Sequence, residues 1–356
     1  MKYFLFCFSL FLLPVLLLSC KEDKPQPVSI EPSIEIPEGM VWVAPKTFMK
    51  GAKDNDPFAS EAEKPVHKVK VGAFFIDKTE VTNQQFTEFV EATGYITLAE
   101  KDIDWEEMKK NLPPGTPKPA DSLLLAGSLV FNKNVKHVHS LNHHHQWWTW
   151  KTGANWRYPQ GPESSIEGME NYPVVHIAYE DAVAYCEWAN RRLPTEAEWE
   201  AAALGTNDNT IFTWGDEASK LVESANTWQG EFPLQNNAAD GFAYIAPIQS
   251  FPPNSIGLYD MLGNVWEMTS DLYNASYYQT LDRNSIIENP VCAEKDFSFG
   301  EIEEEMIVIK GGSFLCHESY CASYRISARM SNAKKSSSDH VGFRTVATEE
   351  MLKKVE

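Results

Sequence analysis

The sequence predicts an α+β domain built from a few short helices and strands joined by long irregular loops. Three observations carry this. Helical periodicity is confined to short stretches before residue 205, each with its own start signal. Beyond Leu204 the chain turns rich in Gly, Asn, Pro and Trp, and long periodic segments vanish. No repeat and no second composition regime appears after residue 39, and the 11 Trp are spread along the chain, which favours one large domain.

The elements follow in order. Met40 to Phe75 reads as strands separated by a polar loop, with Val69, Val71 and Phe74 in short extended runs. A helix starts near Thr82 or Asn83; Phe86, Phe89 and Val90 share one face, and Gly94 stops it. Residues 101–152 read as an irregular, polar insertion. A second helix covers about Tyr179 to Asn190, with Val183, Cys186 and Trp188 partly inward. Pro194-Thr195-Glu196-Ala197-Glu198 opens a third, with Thr195 and Glu198 forming a capping box. Loops and short strands are expected after it. So much irregular backbone must satisfy its polar groups, and bound metal is one way.

The N-terminal end reads as targeting rather than fold. In residues 1–19, Lys2 gives a positive start, and Phe4 to Leu18 is an apolar run too short for a comfortable membrane span. Leu17-Leu18-Ser19-Cys20 resembles a bacterial lipoprotein cleavage motif, so Cys20 is expected to be lipidated and to tether the chain to the cell envelope. Lys21, rather than Asp, at the next position points to the outer membrane. Residues 20–38, with Pro25, Pro27, Pro32 and Pro37 among charged residues, read as a disordered tether. The domain is expected over 39–356.

The formal charge of −19 argues against a nucleic-acid partner and is compatible with Ca²⁺. Of 6 Cys, Cys7 falls in the signal and Cys20 at the lipid site. Cys186, Cys292, Cys316 and Cys321 remain, and three pairings are open to them.

Specificity begins at Gly311-Gly312-Ser313-Phe314-Leu315-Cys316-His317-Glu318-Ser319-Tyr320-Cys321. Upstream stand Thr79-Glu80-Val81-Thr82-Asn83 and Arg192-Leu193-Pro194-Thr195-Glu196. Then come Gly257-Leu258-Tyr259-Asp260, Gly263-Asn264-Val265-Trp266-Glu267 and the closing Gly342-Phe343-Arg344. Gly153-Ala154-Asn155-Trp156-Arg157 and Asn226-Thr227-Trp228-Gln229-Gly230-Glu231 are narrower. Together these segments resemble the formylglycine-generating enzymes, from about Met40 to Val346. The resemblance implies a C-type-lectin-like fold and the oxidation of a cysteine to formylglycine. The substrate it implies is an extended or unfolded sulfatase polypeptide carrying Cys-x-Pro-x-Arg. Copper(I), O₂ and a thiol reductant would be used, and the chain is expected to be a monomer.

The chemistry of the residues agrees with that reading. Two thiolates are soft donors that select Cu(I), and a two-coordinate site leaves room for a substrate thiolate. The alternative for Cys316 and Cys321 is a plain local disulfide, common in exported loops; the pair can also oxidise when metal-free. By resemblance Ser313, Trp266 and His317 line the same pocket, His317 either moving protons or holding its loop. The resemblance also implies two Ca²⁺ sites. One has Asn226 and Asp240 with carbonyls of Thr227 and Phe242. The other has Asp260, Asn264 and Glu267 with carbonyls of Gly263 and Val265, and Glu80 is a further candidate. The alternative is that these are turn-formers at Gly-rich bends.

Departures and loose ends remain. Animal members carry two further disulfides; here Cys186 matches one half, but Thr345, Ala203 and Ile326 occupy the other positions. Cys186 is expected to be a buried free thiol, and Cys292 has no counterpart. His137, His139 and His143 to His145 form a tempting metal cluster, though a solvated loop beside the substrate groove is the preferred reading. Trp147 and Trp148 are expected to pack or line the groove. Two other classes stay open: a non-catalytic envelope scaffold or adhesion lipoprotein of the same fold, and an iron oxygenase joining carbon to sulfur. The latter class needs an H-x3-H-x-E motif, which the sequence lacks.

Overall fold

The helix starts are written in side chains. In the computed structural model, which describes residues 31–294 and 305–353, the first helix is Asn83–Thr93. The Thr82 hydroxyl accepts from Gln85 N at 3.2 Å, and Gln85 Oε1 accepts from Thr82 N at 2.9 Å. Gly94 ends the helix at φ 68°, a left-handed turn that favours glycine. The helix Glu196–Leu204 starts the same way, with Thr195 and Glu198 exchanging bonds of 3.1 and 2.9 Å. The helix Tyr179–Trp188 stops short of the expected Asn190, which sits at φ 53°.

Three small sheets frame the domain. Phe74–Asp77 lies between Met40–Val43 and Val346–Ala347, both antiparallel to it, which ties the start of the domain to its end. His67–Val71 pairs antiparallel with Lys46–Lys50 and parallel with Ile287–Glu288. In the third sheet Trp266–Leu272 lies between Met306–Lys310 and Val341–Gly342, with Met330–Ala333 at the edge. The three helices share one apolar core with these sheets, built around Phe86, Tyr185, Trp199, Met268 and Phe343. A second apolar cluster gathers Phe131, Trp147, Trp228, Phe232, Phe314 and Leu315.

Two expectations need correction. Residues 101–152 are not irregular throughout: Gly127–Phe131 and Trp148–Thr152 form an antiparallel pair, and Phe131 and Trp147 are buried. The long loop between the strands hides their pairing from any short window. The tether also ends earlier than residue 38. Ser33 N donates to Glu349 Oε1 at 2.8 Å, and Ile34 packs on Met40, Phe75 and Ala347. Pro32 onward belongs to one compact unit. The signal at 1–19 and the lipidation at Cys20 lie outside the described residues. Among the described residues, no helix is long and apolar enough to cross a membrane.

Cys186 and Cys292 are free and buried. Burial pushes both thiols up, Cys186 further still through the nearby Asp77 carboxyl. At the position where relatives imply a partner for Cys186, the Thr345 hydroxyl donates to Asp77 Oδ2 at 2.6 Å. Arg191 reaches Asp77 at 2.5 Å and Thr345 at 3.3 Å. Ala203 and Ile326 sit in the apolar core.

Candidate active site and ion sites

The cysteine loop is held from both sides by backbone bonds. Gly312 takes φ 76°, and a Cβ there would lie 3.0 Å from the backbone of Ser323 and Tyr324, so only glycine fits without a shift. Phe314 N donates to Asn264 O at 2.9 Å, and Trp228 N donates to Cys316 O at 3.1 Å. Cys316 N and Cys321 N donate to the carbonyls of Ser313 and His317, each at 2.9 Å. The loop therefore folds back on itself and places Cys316 and Cys321 in a disulfide, Cα atoms 5.4 Å apart. Cys316 is buried and Cys321 half-buried.

The other expected residues take distinct places. Ser313 is fully buried, and its hydroxyl accepts from Leu315 N at 3.3 Å. Trp266 is buried in the core that also contains Cys316, and its backbone N–H donates to His340 O at 2.9 Å. His317 Nδ1 accepts from Ser319 N at 3.2 Å and lies 2.9 Å from the Ser319 hydroxyl, so its ring braces its own loop. Trp147 packs edge-on against Tyr320, and Trp148 lies 4.7 Å from His340, centroid to centroid. His137, His139 and His143 to His145 ride the loop ahead of these tryptophans, with the rings of His143 and His145 stacked at 5.8 Å.

A reduced Cys316/Cys321 pair offers two sulfur donors on one short, well-braced loop. That donor set suits a soft cation such as Cu(I).

The oxygen sites divide. Around the first, Asn226 is 1% exposed, its Nδ2 donates to Tyr244 O at 2.9 Å, and its Oδ1 is buried with no partner among the described residues. Asp240 lies alongside, accepting from Thr227 N and Phe242 N at 3.0 Å, and burial holds its carboxyl above the ordinary range. An orphaned amide oxygen beside a carboxylate and loop carbonyls fits a hard cation. Gly263 lets the loops close here: at φ 83°, a Cβ would meet Asn226 O at 2.3 Å.

The second set fits less completely. Glu267 is also engaged by protein donors. Both of its oxygens accept from Arg344 at 2.6 Å, and Oε2 also accepts from Trp199 Nε1 at 2.7 Å. The Asn264 side-chain oxygen is taken by Asn226 Nδ2 and Ala246 N. Glu80 instead supplies the free atom. It is 1% exposed, and its Oε2 is buried without a partner among the described residues. Burial, then the Asp260 carboxylate, hold Glu80 well above the usual carboxyl range, and burial pushes Asp260 up to about 6. Among the described residues no three His, Cys, Asp or Glu side chains converge on one point, so carbonyls would have to complete either site.

Some site residues were missed in the sequence. A cavity of about 180 Å³ lies behind the cysteine loop, walled by Phe314, Trp156, Ile245 and Asp339. Asp339 accepts from Phe131 N at 3.0 Å, and burial pushes its carboxyl up to about 6. His340 bonds to Ser338 and faces Trp148. Their place just before Gly342-Phe343-Arg344 was the available signal.

Comparisons with known proteins agree with this architecture. The family described as "Sulfatase-modifying factor enzyme 1-like domain" matches residues 27–349. A formylglycine-generating enzyme of Thermomonospora curvata is 41% identical over 315 residues, 88% of this chain and 94% of that protein. One from Mycobacterium tuberculosis is 43% identical over 286 residues, 80% and 91% of the two chains. A Bos taurus protein named inactive C-alpha-formylglycine-generating enzyme 2 is 36% identical over 308 residues, covering 86% of each. The solved structure of PvdO from Pseudomonas aeruginosa overlays with a TM-score of 0.55 at 23% identity, covering 86% of this chain and 93% of that one, a likeness of fold alone.

Proposed function

Since the chain belongs to the sulfatase-modifying-factor family of formylglycine-generating enzymes, we propose that it oxidises a cysteine in sulfatase polypeptides to Cα-formylglycine. The observation that carries this is the Cys316/Cys321 pair, on a loop braced from both sides and open on the Cys321 face. Relatives named as active and as inactive both match this chain, so similarity alone does not choose between them. The two sulfurs favour the enzyme over the scaffold.

The reaction balances as follows. The substrate Cβ–H and S–H give up two electrons and two protons, leaving a thioaldehyde. Two thiols of a reductant supply two more electrons and two protons and become a disulfide. O₂ takes all four of each and leaves as two waters. Water then hydrolyses the thioaldehyde to the aldehyde, releasing H₂S. Copper(I), held by Cys316 and Cys321, would supply a binding position for the substrate thiolate and the redox chemistry toward O₂. The same reductant would open the Cys316–Cys321 disulfide.

The chain's own residues do the rest. Gly312 and the Ser313 and His317 carbonyls fix the two cysteines relative to each other. Trp266 shares its core with Cys316, and Ser313 is fully buried three residues before it; on this reading they would wall the inner side. On this reading Ca²⁺ would sit at Asn226 and Asp240, and at Asp260 with Glu267, Glu80 being a further donor, where it would hold the loops that brace Cys316 and Phe314. The Leu17-to-Cys20 motif supports action at the cell envelope, lipid-anchored.

The test is conversion of a Cys-x-Pro-x-Arg peptide by reduced, copper-loaded protein under O₂, read by mass. Aldehyde should form with wild type. Cys316→Ser and Cys321→Ser should each lose Cu(I) binding and at least about a hundredfold in rate, the scale of a lost catalytic group. No product from wild type at full copper loading would favour the scaffold reading.

A further inference from the structure

The cavity behind the cysteine loop holds a negative charge that the fold leaves half answered. Of the residues that line it, only Asp339 and Lys133 carry charge at pH 7. Asp339 is 5% exposed. Its Oδ2 accepts from Phe131 N at 3.0 Å and from Gln160 Nε2 at 3.3 Å, while its Oδ1 is buried with no partner among the described residues. Burial pushes the carboxyl up to about 6, which leaves it mostly ionised at pH 7. Lys133 pulls the other way without reaching it. The Lys133 ammonium lies over the Tyr244 ring, 4.1 Å from the centroid, and makes no ion pair with Asp339. A buried, ionised oxygen without a partner is costly, and it marks a place for a donor from outside the fold.

The walls select the donor. Gln160 Nε2 also donates to the Pro159 carbonyl at 3.2 Å; a carbonyl only accepts, so that atom is nitrogen, and the Gln160 oxygen is left as a second acceptor beside the carboxylate. Trp156, Tyr244, Phe314 and Ile245 make much of the remaining wall apolar. The Tyr244 face already carries one cation, and Lys133 is exposed, so its ammonium can give up that face for water. The volume of about 180 Å³ suits about six or seven heavy atoms, since a cavity of about 150 Å³ takes benzene. An ammonium or metal ion alone would leave the apolar walls empty. A guanidinium offers several N–H donors in one plane to neighbouring acceptors and stacks on aromatic faces.

We propose that this cavity binds a guanidinium on a short apolar stem, with Asp339 as its anchor and Gln160 beside it. Phe314 ties the site to the cysteine loop, two residues before Cys316. Two sources carry this chemistry, an arginine side chain of a polypeptide and a free guanidinium compound. Only the first rests on the oxidation proposed above.

The test is calorimetric titration of n-propylguanidinium into the folded protein, with n-propylurea, its uncharged counterpart, as the control. The guanidinium should bind, and the urea should bind at least about tenfold more weakly, the scale of one charge-assisted hydrogen bond. Asp339→Asn should cost the guanidinium about the same tenfold factor. Its amide keeps the bond from Phe131 N only by turning its NH₂ to the unpaired side, where it would meet the ligand donor against donor. The comparison with the urea uses wild type and stands if the variant does not fold. Equal affinity for the two compounds, or for the guanidinium in wild type and Asp339→Asn, would overturn the anchor. No binding at millimolar concentration would overturn the site. The source is read from a Ser-x-Pro-x-Arg peptide, which lacks the reacting thiol, and its citrulline twin. If the cavity takes a polypeptide arginine, Asp339→Asn should weaken the arginine peptide about tenfold and leave the citrulline peptide unchanged. If neither peptide responds while propylguanidinium does, the site stands and its occupant is a free compound. No arm needs copper or turnover, so failure of the oxidation is not mistaken for failure of the site.

Discussion

Single residues here are set by what surrounds them, and His176 makes the point most sharply. It is fully buried, with Nδ1 2.8 Å from the Ser128 hydroxyl and Nε2 2.8 Å from the Pro159 carbonyl. Burial holds its pKa down to about 4 from an ordinary 6.5, against the pull of that carbonyl. The folded protein therefore binds fewer protons at this ring than the unfolded chain between pH 6.5 and 4. The stability tied to the neutral ring is fully present above pH 6.5. It is lost as pH falls toward 4, on the order of 3 kcal/mol in all. Asp181, Asp271 and Asp339, pushed up to about 6 by burial, work with the opposite sign over the overlapping range. Wild type alone would blur the two effects, so the variant is what isolates them. His176→Asn suits the left-handed backbone at φ 61° and does not titrate. Urea unfolding from pH 6.5 to 4 should show a smaller acid loss in the variant. Identical pH dependence in the two proteins would discard the assignment.

At the scale of elements, the helix Glu196–Leu204 does more than fill space. Its first two turns point Glu196 and Glu200 inward, where Lys50, Lys310 and Arg329 meet them. Arg329 grips Glu196 with bonds of 2.9 and 3.0 Å, and Lys310 lies 2.8 Å from Glu200. All five side chains are buried. The attraction of three cations outweighs burial and holds the Glu196 carboxyl far below its usual range. Two strands, the loop residue Arg329 and one helix are thus pinned by one ionic knot. Glu196→Gln would leave a cation uncompensated and should cost about 3–5 kcal/mol in unfolding free energy. A loss under about 1 kcal/mol in urea unfolding would show that the cluster adapts. The cap of this helix was legible in the sequence, since Thr195 and Glu198 signal each other across three residues. The knot was not, because Lys50 and Lys310 come from distant strands and Arg329 from a distant loop, and a lone lysine in a strand reads as solvated. The hairpin of Gly127–Phe131 with Trp148–Thr152 was missed for a similar reason, its partners being separated by a long loop. The short β-pairs at Val341–Gly342 and Val346–Ala347 carry too few residues to show alternation.

For the whole molecule, the cysteine loop and the Gly-rich segments around it were readable as motifs, because close backbone approach demands particular residues at fixed places. Which oxygens remain free for a cation was not readable. Glu267, expected as a ligand, also accepts from Arg344 and Trp199, two partners that no local motif announces. The same geometry sets what the enzyme can act on. Cys316 is 1% exposed and Cys321 only half-buried, so on the proposed reading a substrate cysteine must reach the pair from the Cys321 side. A side chain on a folded surface reaches only a few ångströms, whereas an extended strand advances about 3.3 Å per residue and can thread a groove. The proposed reading therefore requires the substrate segment to be extended when it binds. Two substrates of one sequence separate this from simple motif recognition: a sulfatase kept unfolded in urea-free, reduced form, and the same sulfatase folded before exposure. Aldehyde should form in the first and be at least about tenfold slower in the second, that factor corresponding to 1.4 kcal/mol of barrier. A folded substrate converted at the rate of the unfolded one would mean that the loop opens far more widely than its backbone bonds to Asn264 and Trp228 allow.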